Sequence, residues 1–309
     1  METVSVIIPA HNAAATVAWT LASLAPEMSV IGEILLVDDS STDGTAAVAM
    51  EAAGRLELPL RVIKSSCRDA GGSRNLALAE ARFPWIYMID ADDLHLKGGL
   101  RALLSVARTQ PGTDMVVGAY RRRIDGEDRQ IKIPAGYSAD GLVNASAYIG
   151  GRIRSIAVGS ALVSRAAIGE TRFPTGLAFD EDTLFWARTM SRASLAVICR
   201  PVMTYQVSSE RSDDRFTIKP ARRFLQWRIA LHELAACGIP KSSLQVREGL
   251  VALKIARVHY ARGDMRTATK FLTIARAAPK GSADAWRCIR YRLKIALRRW
   301  RSGLSVQPQ

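Results

Sequence analysis

Short apolar runs alternate with amphipathic stretches along the first hundred residues. Val4–Ile8 is a β-branched run closed by Pro9, and Glu33–Val37, Leu60–Lys64 and Trp85–Ile89 repeat the theme. Unbroken apolar runs of this length suit strands covered on both faces, as in a parallel sheet. Between them, Ala13–Leu24, a segment from about Thr45, and Gly72–Ala81 carry helical patterns. Ser41, Thr42 and Asp43 are the residue types that cap a helix start. This alternation predicts an α/β domain, its mostly parallel sheet wrapped by right-handed crossovers.

The rhythm loosens over residues 113–209. Met115–Tyr120 and Leu195–Cys199 read as strands, and Ala178–Met190 as a helical segment entered through Asp180-Glu181-Asp182. Asp180 is placed to cap that helix. Beyond Arg215 the pattern is helical, over about 217–237, 243–262, 264–277 and 282–301, punctuated by Gly238-Ile239-Pro240, Gly263 and Pro279-Lys280-Gly281. The expected organisation is one α/β domain over 1–212, with a regular part to about 112 and a looser part over 113–212. A basic helical region over 213–309 follows.

Charge sharpens that division. The chain has 309 residues and a formal net charge of +14. Residues 1–209 carry 21 basic and 22 acidic side chains, whereas residues 210–309 carry 22 basic and 7 acidic. Cys67, Cys199, Cys237 and Cys288 lie far apart, without zinc-site spacing, and read as reduced thiols of a cytoplasmic protein. Residues 3–26 hold no Lys, Arg, Asp or Glu. Pro9, His11 and Asn12 interrupt the stretch, and Glu2 stands where a signal peptide would be basic, so neither a membrane span nor a signal is expected.

Ligands of such sheets bind beyond the carboxyl ends of the strands. Those ends are polar here: His11-Asn12 after the first strand, Asp38-Asp39 after the second, Asp90-Ala91-Asp92-Asp93 after the fourth. Any one pair could be an ordinary loop former. Together they would converge on one edge. Carboxylates packed as closely as Asp90, Asp92 and Asp93 repel unless a cation joins them. An all-oxygen set suits Mn²⁺ or Mg²⁺, with phosphates of a nucleotide completing the shell.

Several segments now fall into order: Val4-Ser-Val-Ile-Ile-Pro-Ala-His-Asn12, Ile34-Leu-Leu-Val-Asp-Asp-Ser-Ser-Thr-Asp-Gly44, Ser73-Arg74-Asn75, Ile86-Tyr-Met-Ile-Asp-Ala-Asp-Asp93, Arg172-Phe-Pro174 and Asp180-Glu-Asp-Thr-Leu-Phe185. In type and spacing they resemble the inverting family 2 glycosyltransferases of the GT-A fold, over residues 1 to about 212. The resemblance implies that Pro9, Ala10, His11 and Asn12 line a nucleotide pocket, with Asp39 on the base and Asp38 beside it. It places Arg74 near the donor, Asp90 and Ala91 by the ribose or sugar, Asp92 with Asp93 on the metal, and Asp182 of the Glu181-Asp182 pair as catalytic base. Chemistry accords with those roles: an acceptor hydroxyl must lose its proton to a carboxylate standing across the sugar from the departing diphosphate.

Some positions depart from the family pattern. Arg68-Asp69 stand where relatives carry a glycine ahead of the Arg-Asn pair, and Gln206 stands where an arginine often follows the tyrosine. Ser208, Ser209, Arg211 and Ser212 are candidates for a loop closing over the diphosphate. Gly159, Ser160 and Arg165 fall in a stretch that the family places near the acceptor, though a plain strand and turn accounts for them equally. Arg121–Arg123 reads as a solvated strand end or loop.

Near the end of the chain, Trp286, Ile289, Leu293, Leu297 and Trp300 step by three and four, while Arg287, Arg290, Lys294, Arg298 and Arg301 step alongside. Such a helix suits an anionic membrane surface, or packs on the domain with its basic face in water. No nucleic-acid module is present, so no specific nucleic-acid partner is expected.

The sequence therefore leads to a metal-dependent transferase moving a sugar from a nucleotide donor, a UDP-sugar first, to a glycan or lipid-linked glycan in bacterial polysaccharide synthesis. Its expected place is cytoplasmic, with the inner face of the cytoplasmic membrane open to it through the basic helices. The alternatives are a sugar-phosphate nucleotidyltransferase, which would carry a Gly-rich basic loop where Pro9-Ala-His-Asn12 stands, and a non-catalytic membrane scaffold.

Overall fold

β-Branched and leucine-rich runs form the central strands, because only a sheet covered on both faces buries every side chain of such a run. The computed structural model describes residues 3–153, 156–207, 214–275, 286 and 289–297. Strands are β1 (Val4–Ala10), β2 (Ile31–Asp39), β3 (Leu60–Ser65), β4 (Trp85–Met88), β5 (Leu94–His95), β6 (Met115–Ile124), β7 (Glu127–Asp128), β8 (Ala161–Ser164) and β9 (Leu195–Val207). Helices are α1 (Val17–Leu24), α2 (Thr45–Arg55), α3 (Ala70–Glu80), α4 (Gly99–Thr109), α5 (Gly141–Ile149), α6 (Arg165–Ile168), α7 (Glu181–Met190), α8 (Asp214–Thr217), α9 (Pro220–Glu233), α10 (Lys241–Ala261) and α11 (Met265–Ala275).

Two compact units emerge, one within residues 1–148 and 152–211, the other within 149–151 and 212–309. The first unit holds a nine-stranded sheet in the order β3-β2-β1-β4-β8-β6-β9-β5, with β7 paired to β6. β1 runs parallel to β2 and β4, and β2 parallel to β3. β8 is antiparallel between β4 and β6. Every residue of β1 is buried, as are Ile34–Asp39 of β2, under α1, α2 and α4. Each fully covered Ile or Leu in that core contributes roughly 1.5–3 kcal/mol.

Pro9 was expected to end the first strand, yet β1 continues through it to Ala10. Pairing with β4 stops at Ile7↔Met88, while pairing with β2 runs on to Ala10↔Asp38. Past Ile7 the strand therefore has a neighbour on one side only, and a residue without N–H is tolerated there. β2 likewise runs longer than its apolar pattern, because Asp38 and Asp39 pair in register with Lys64 and Ser65 of β3. The first helix begins at Val17 rather than Ala13, after a hydrogen-bonded turn.

Arg121 and Arg123 lie within β6 and pair with Asp128 across the β6–β7 hairpin. Gly159 and Ser160 form a short 3-10 turn, and Arg165 opens α6 with its guanidinium on the Ala81 carbonyl.

The second unit is helical. Gly238 and Gly263 adopt φ of 83° at helix ends, where a left-handed residue reverses the chain. α10 packs on α8, α9 and α11 around buried Phe224, Trp227 and Phe271. Among the described residues, no helix is long and apolar enough to cross a membrane. The candidate closing-loop residues Ser208, Ser209, Arg211 and Ser212 lie outside the described residues, as do Cys288, Arg287, Arg298, Trp300 and Arg301.

Candidate active site

The carboxyl ends of β1, β2 and β4 open onto a cavity of about 900 Å³ in the first unit. The two loops beyond β1 and β2 are sewn together by their own polar groups. Asn12 N–H donates to Ser41 Oγ at 3.0 Å, and Thr42 N–H to Asn12 Oδ1 at 2.9 Å. Ala13 and Ala14 N–H reach Thr45 Oγ1 and Asp43 Oδ2. Asp43 thus spends its carboxylate on the neighbouring loop and on Thr45, while Gly44 occupies the helix cap. His11 Nδ1 donates to the Asp39 carbonyl at 2.6 Å, which leaves Nε2 as the acceptor facing Asn12 Nδ2.

Asp39 is 4% exposed, and four donors meet its carboxylate: Ser65 Oγ and Arg68 N–H on one oxygen, Asp69 N–H and Ser73 Oγ on the other. Burial alone would raise its pKa, but these donors together hold it below the ordinary carboxylate value. The residue organises the whole β3–α3 loop. Asp69 then caps α3 through Gly71 N–H and binds Gly176 N–H at 2.8 Å. Gly71 has a steric reason: a Cβ there would stand 3.1 Å from both Phe173 Cβ and the Pro174 carbonyl.

The neighbouring Arg74 and Asn75 hold distant segments. Asn75 bonds both the N–H and the carbonyl of Phe173, at 2.8 and 2.9 Å. Arg74 is 3% exposed and reaches Asp90 at 2.6 Å and Glu181 at 3.3 Å. Burial would lower its pKa, yet those two carboxylates push it above its ordinary value. Phe173 lies beneath the guanidinium and stacks on Phe185 with ring centroids 3.9 Å apart. One turn back along α7 from Phe185, the helix presents Glu181 to the cavity.

Glu181 titrates well above an ordinary carboxylate, at about 7, because burial disfavours its charge and Asp182 adds a like charge beside it, outweighing Arg74. Asp182 folds back on its own helix, accepting Thr183 N–H at 2.7 Å. Asp180 occupies the N-cap position with φ of 61°, but its side chain makes no capping bond, contrary to the expectation. Three of the left-handed non-glycine residues, Asn12, Ser40 and Arg68, line the cavity, and Asp180 immediately precedes Glu181. Such backbone strain gathers where surrounding structure dictates geometry for function.

Next to the Arg74–Asp90 pair, Asp90, Asp92 and Asp93 bring carboxylate oxygens within 4.8 Å of one another. Thr20 Oγ1 reaches the carbonyls of Ala91 and Asp93, and Ser23 Oγ accepts His95 N–H, so α1 anchors this loop. From β9, Gln206 N–H binds Asp93 Oδ1 and its Nε2 binds the Asp92 carbonyl, both at 2.8 Å. The donor set is all oxygen, closely spaced and partly exposed, and it fits a hard divalent cation.

Of the residues singled out by sequence, Pro9, Ala10, His11, Asn12, Asp39, Arg74, Asp90, Ala91, Asp92 and Glu181 line the cavity. Asp38 does not; its carboxylate is buried against Lys64 Nζ at 2.5 Å. Asp93 lies behind the lining at 2% exposure, and Asp182 beside it. Sequence reading gave no site role to Thr42, which looked like a capping residue, to Ser40 and Ser73, which entered only as parts of longer motifs, or to Arg68 and Asp69, which looked only like a departure; all five line the cavity.

The profile of Glycosyl transferase family 2 matches residues 5–170. The chain belongs to this family. Succinoglycan biosynthesis protein ExoU of Rhizobium meliloti is 39% identical over 116 residues, 37% of this chain and 32% of ExoU, so the match spans about a third of that relative. Escherichia coli WfaP, named a UDP-Glc:α-D-GlcNAc-diphosphoundecaprenol β-1,3-glucosyltransferase, is 26% identical over 66% of this chain and 77% of its own length. Among solved structures, Staphylococcus aureus TarS residues 1–349 with UDP-GlcNAc superposes with a TM-score of 0.65 at 18% identity, covering 90% of this chain and 82% of that one. Mycobacterium tuberculosis glucosyl-3-phosphoglycerate synthase with Mn²⁺ and UDP gives 0.54 at 20% identity, over 78% and 82%. The family 2 domain accordingly has the GT-A fold: a mostly parallel sheet flanked by helices, followed here by a helical C-terminal region.

Proposed function

We propose that this chain transfers a sugar with inversion from a nucleotide diphosphate donor, a UDP-sugar, to a hydroxyl of a glycan or lipid-linked glycan during polysaccharide synthesis. One observation carries the reading. Two carboxylate clusters, Asp90/Asp92/Asp93 and Glu181/Asp182, reach the same cavity through Asp90, Asp92 and Glu181 and are joined through Arg74. The nucleotide lies against Pro9–Asn12 and the loop organised by Asp39. Asp92 and Asp93 would hold Mn²⁺ or Mg²⁺, which would supply positive charge to the leaving diphosphate.

On the opposite side, Asp182 accepts the proton of the acceptor hydroxyl. Glu181, clamped by Arg74, fixes the first turn of α7 and adjusts the ionisation of its neighbour. UDP-GlcNAc in the TarS complex, and Mn²⁺ with UDP in the mycobacterial synthase, support the donor and metal classes. The name of WfaP supports a diphosphoundecaprenol-linked acceptor. An acceptor of that kind sits at a bilayer.

Incubating the purified chain with UDP- and GDP-sugars, Mn²⁺ and a diphosphoundecaprenol-linked sugar tests the reading. The expected product is nucleoside diphosphate in step with a lengthened acceptor. Pyrophosphate release from a nucleoside triphosphate and sugar phosphate would replace this reading with nucleotidyl transfer, and loss of neither product in Asp92→Asn would remove the site.

A further inference from the structure

In the second unit, residues 289–297 form a helix, with Trp286 helical one turn before it. Its inner side is defined by two contacts. Ile295 is 5% exposed, and Tyr291 meets Tyr260 of α10 edge to face, with centroids 5.5 Å apart. The longer apolar stripe lies elsewhere. Trp286 is 70% exposed, Leu293 60%, Leu297 56% and Ile289 47%. At about 100° per residue, Leu293 and Leu297 stand roughly 160° from Ile295. The helix is therefore pinned by its minor apolar side, with the major one turned to solvent.

Basic residues border the stripe on both edges. Arg290 and Lys294 follow one side and Arg292 the other, all three exposed. Residues 210–309 carry 22 basic and 7 acidic side chains, so the region as a whole is strongly cationic. A tryptophan and three aliphatic side chains flanked by cations match the boundary of an anionic bilayer, where the apolar groups enter the acyl region and the cations meet headgroup phosphates. A second copy of this chain fits worse: covering the stripe symmetrically would set the basic borders of the two copies against each other.

We propose that the helix over 289–297, together with Trp286, lies on an anionic lipid surface through Trp286, Ile289, Leu293 and Leu297. This inference stands apart from the catalytic reading, since it uses no residue of the cavity. Lying flat, the helix is a peripheral anchor. Each basic residue at the surface strengthens partition roughly fivefold at low ionic strength, and salt weakens that part.

The test uses the full chain and sedimentation with vesicles of phosphatidylcholine alone or mixed with phosphatidylglycerol. The parent binds the mixed vesicles and leaves the neutral ones in suspension, with binding reduced in high salt. Ile289→Glu/Leu293→Glu, altering two solvent-facing positions, lowers binding tenfold or more, with the far-UV circular dichroism and UDP affinity of the parent retained. Brominated lipid quenches tryptophan emission of the parent, and Trp286→Phe reduces that quenching. Equal vesicle binding by parent and double variant overturns the proposal, as does a parent that stays in the supernatant. A lipid-free dimer that the double variant converts to monomer also overturns it, assigning the stripe to a second copy. Nucleoside diphosphate release, measured separately, reports on the transferase reading alone.

Discussion

Arg74 and Glu181, 107 residues apart in the chain, meet at 3.3 Å with the arginine almost wholly buried. The same guanidinium holds Asp90, so one side chain ties the end of β4 to the start of α7. Removing one partner from a buried ionic cluster costs about 3–5 kcal/mol, and the lower end applies here because Asp90 and Glu181 keep some contact with water. Arg74→Met is expected to lower the melting temperature by about 10 °C in scanning calorimetry. Arg74→Lys, which keeps the charge but cannot span both carboxylates, falls between. A melting temperature unchanged in Arg74→Met would deny this brace any structural weight.

The pair at the head of α7 predicts a pH profile. Glu181 titrates at about 7 because of its burial and the Asp182 charge, so turnover should rise with pH through that region as the pair becomes fully ionised. Asp182→Asn is expected to cut kcat by about 10²–10⁴ while leaving UDP-sugar affinity intact. Glu181→Gln removes the repulsion, so its activity limb should move to lower pH with part of the turnover retained. Matching limbs in parent and Glu181→Gln would exclude Glu181 from the proton chemistry. A dead Glu181→Gln beside an active Asp182→Asn would reverse the two roles.

Gln206 offers a subtler probe, because it acts on the acidic loop from β9 without lining the cavity. Leucine at this position keeps the N–H bond to Asp93 and deletes only the side-chain bond to the Asp92 carbonyl. One such bond is worth about 1 kcal/mol net. Gln206→Leu should therefore weaken Mn²⁺ binding in the presence of UDP by roughly fivefold in titration calorimetry, with kcat near the parent value at saturating metal. Asp92→Asn should lose metal-dependent UDP binding far more severely. If both variants bind Mn²⁺ like the parent, the cation sits elsewhere.

Asp39 predicts a proteolytic signature. Four donors converge on its carboxylate, and an asparagine offers only one acceptor oxygen. Asp39→Asn should loosen the loop carrying Arg68, an exposed trypsin site, and increase cleavage there while weakening donor binding. Donor that restores protection in the parent but not in the variant would link the loop to the nucleotide. Equal cleavage rates would show that the loop holds its shape without this carboxylate.

Most of the frame was legible in the sequence because strands buried on both faces leave unmistakable apolar runs. Val4–Ile8, Glu33–Val37, Leu60–Lys64 and Trp85–Ile89 each became a strand, within a few residues at their ends. The ends drifted where pairing overrode composition: Pro9 continued β1 beside a single neighbour, and Asp38 and Asp39 extended β2 opposite Lys64 and Ser65. Within the cavity, spacing located the acidic clusters but not the direction of their side chains. Asp38 turned to Lys64 and Asp182 to its own helix, while Glu181 faced inward. Direction depends on contacts between segments about a hundred residues apart, such as Asn75 with Phe173, which no local pattern records. The C-terminal helix taught a similar lesson: periodicity found its apolar stripe, but not that Ile295 would be the side chain buried.

Beneath the acidic loop, His95 makes the folded state sensitive to mild acid. Its ring lies between Tyr87 and the start of α4, with Nε2 accepting Leu100 N–H and Nδ1 within 3.0 Å of the Tyr87 hydroxyl, which itself donates to Gly159. That pattern requires the neutral ring. Burial, and then the charges of Arg101 and Arg200, push its pKa down from 6.5 to about 4. Glu27 stands 3.9 Å from Nε2, but its carboxylate already receives the N–H groups of Gly98 and Arg101. A base with a depressed folded pKa contributes fully above its unfolded value. Between pH 6.5 and 4 the unfolded chain takes up the proton first, so stability falls with pH across that window. The full effect is roughly 3 kcal/mol. Thermal melts of the parent should accordingly drop between pH 7 and pH 5 by more than those of His95→Gln, which has no proton to gain at this position. Parallel melting curves for the two proteins across that range would mean that the histidine is already charged, or solvated, in the folded protein.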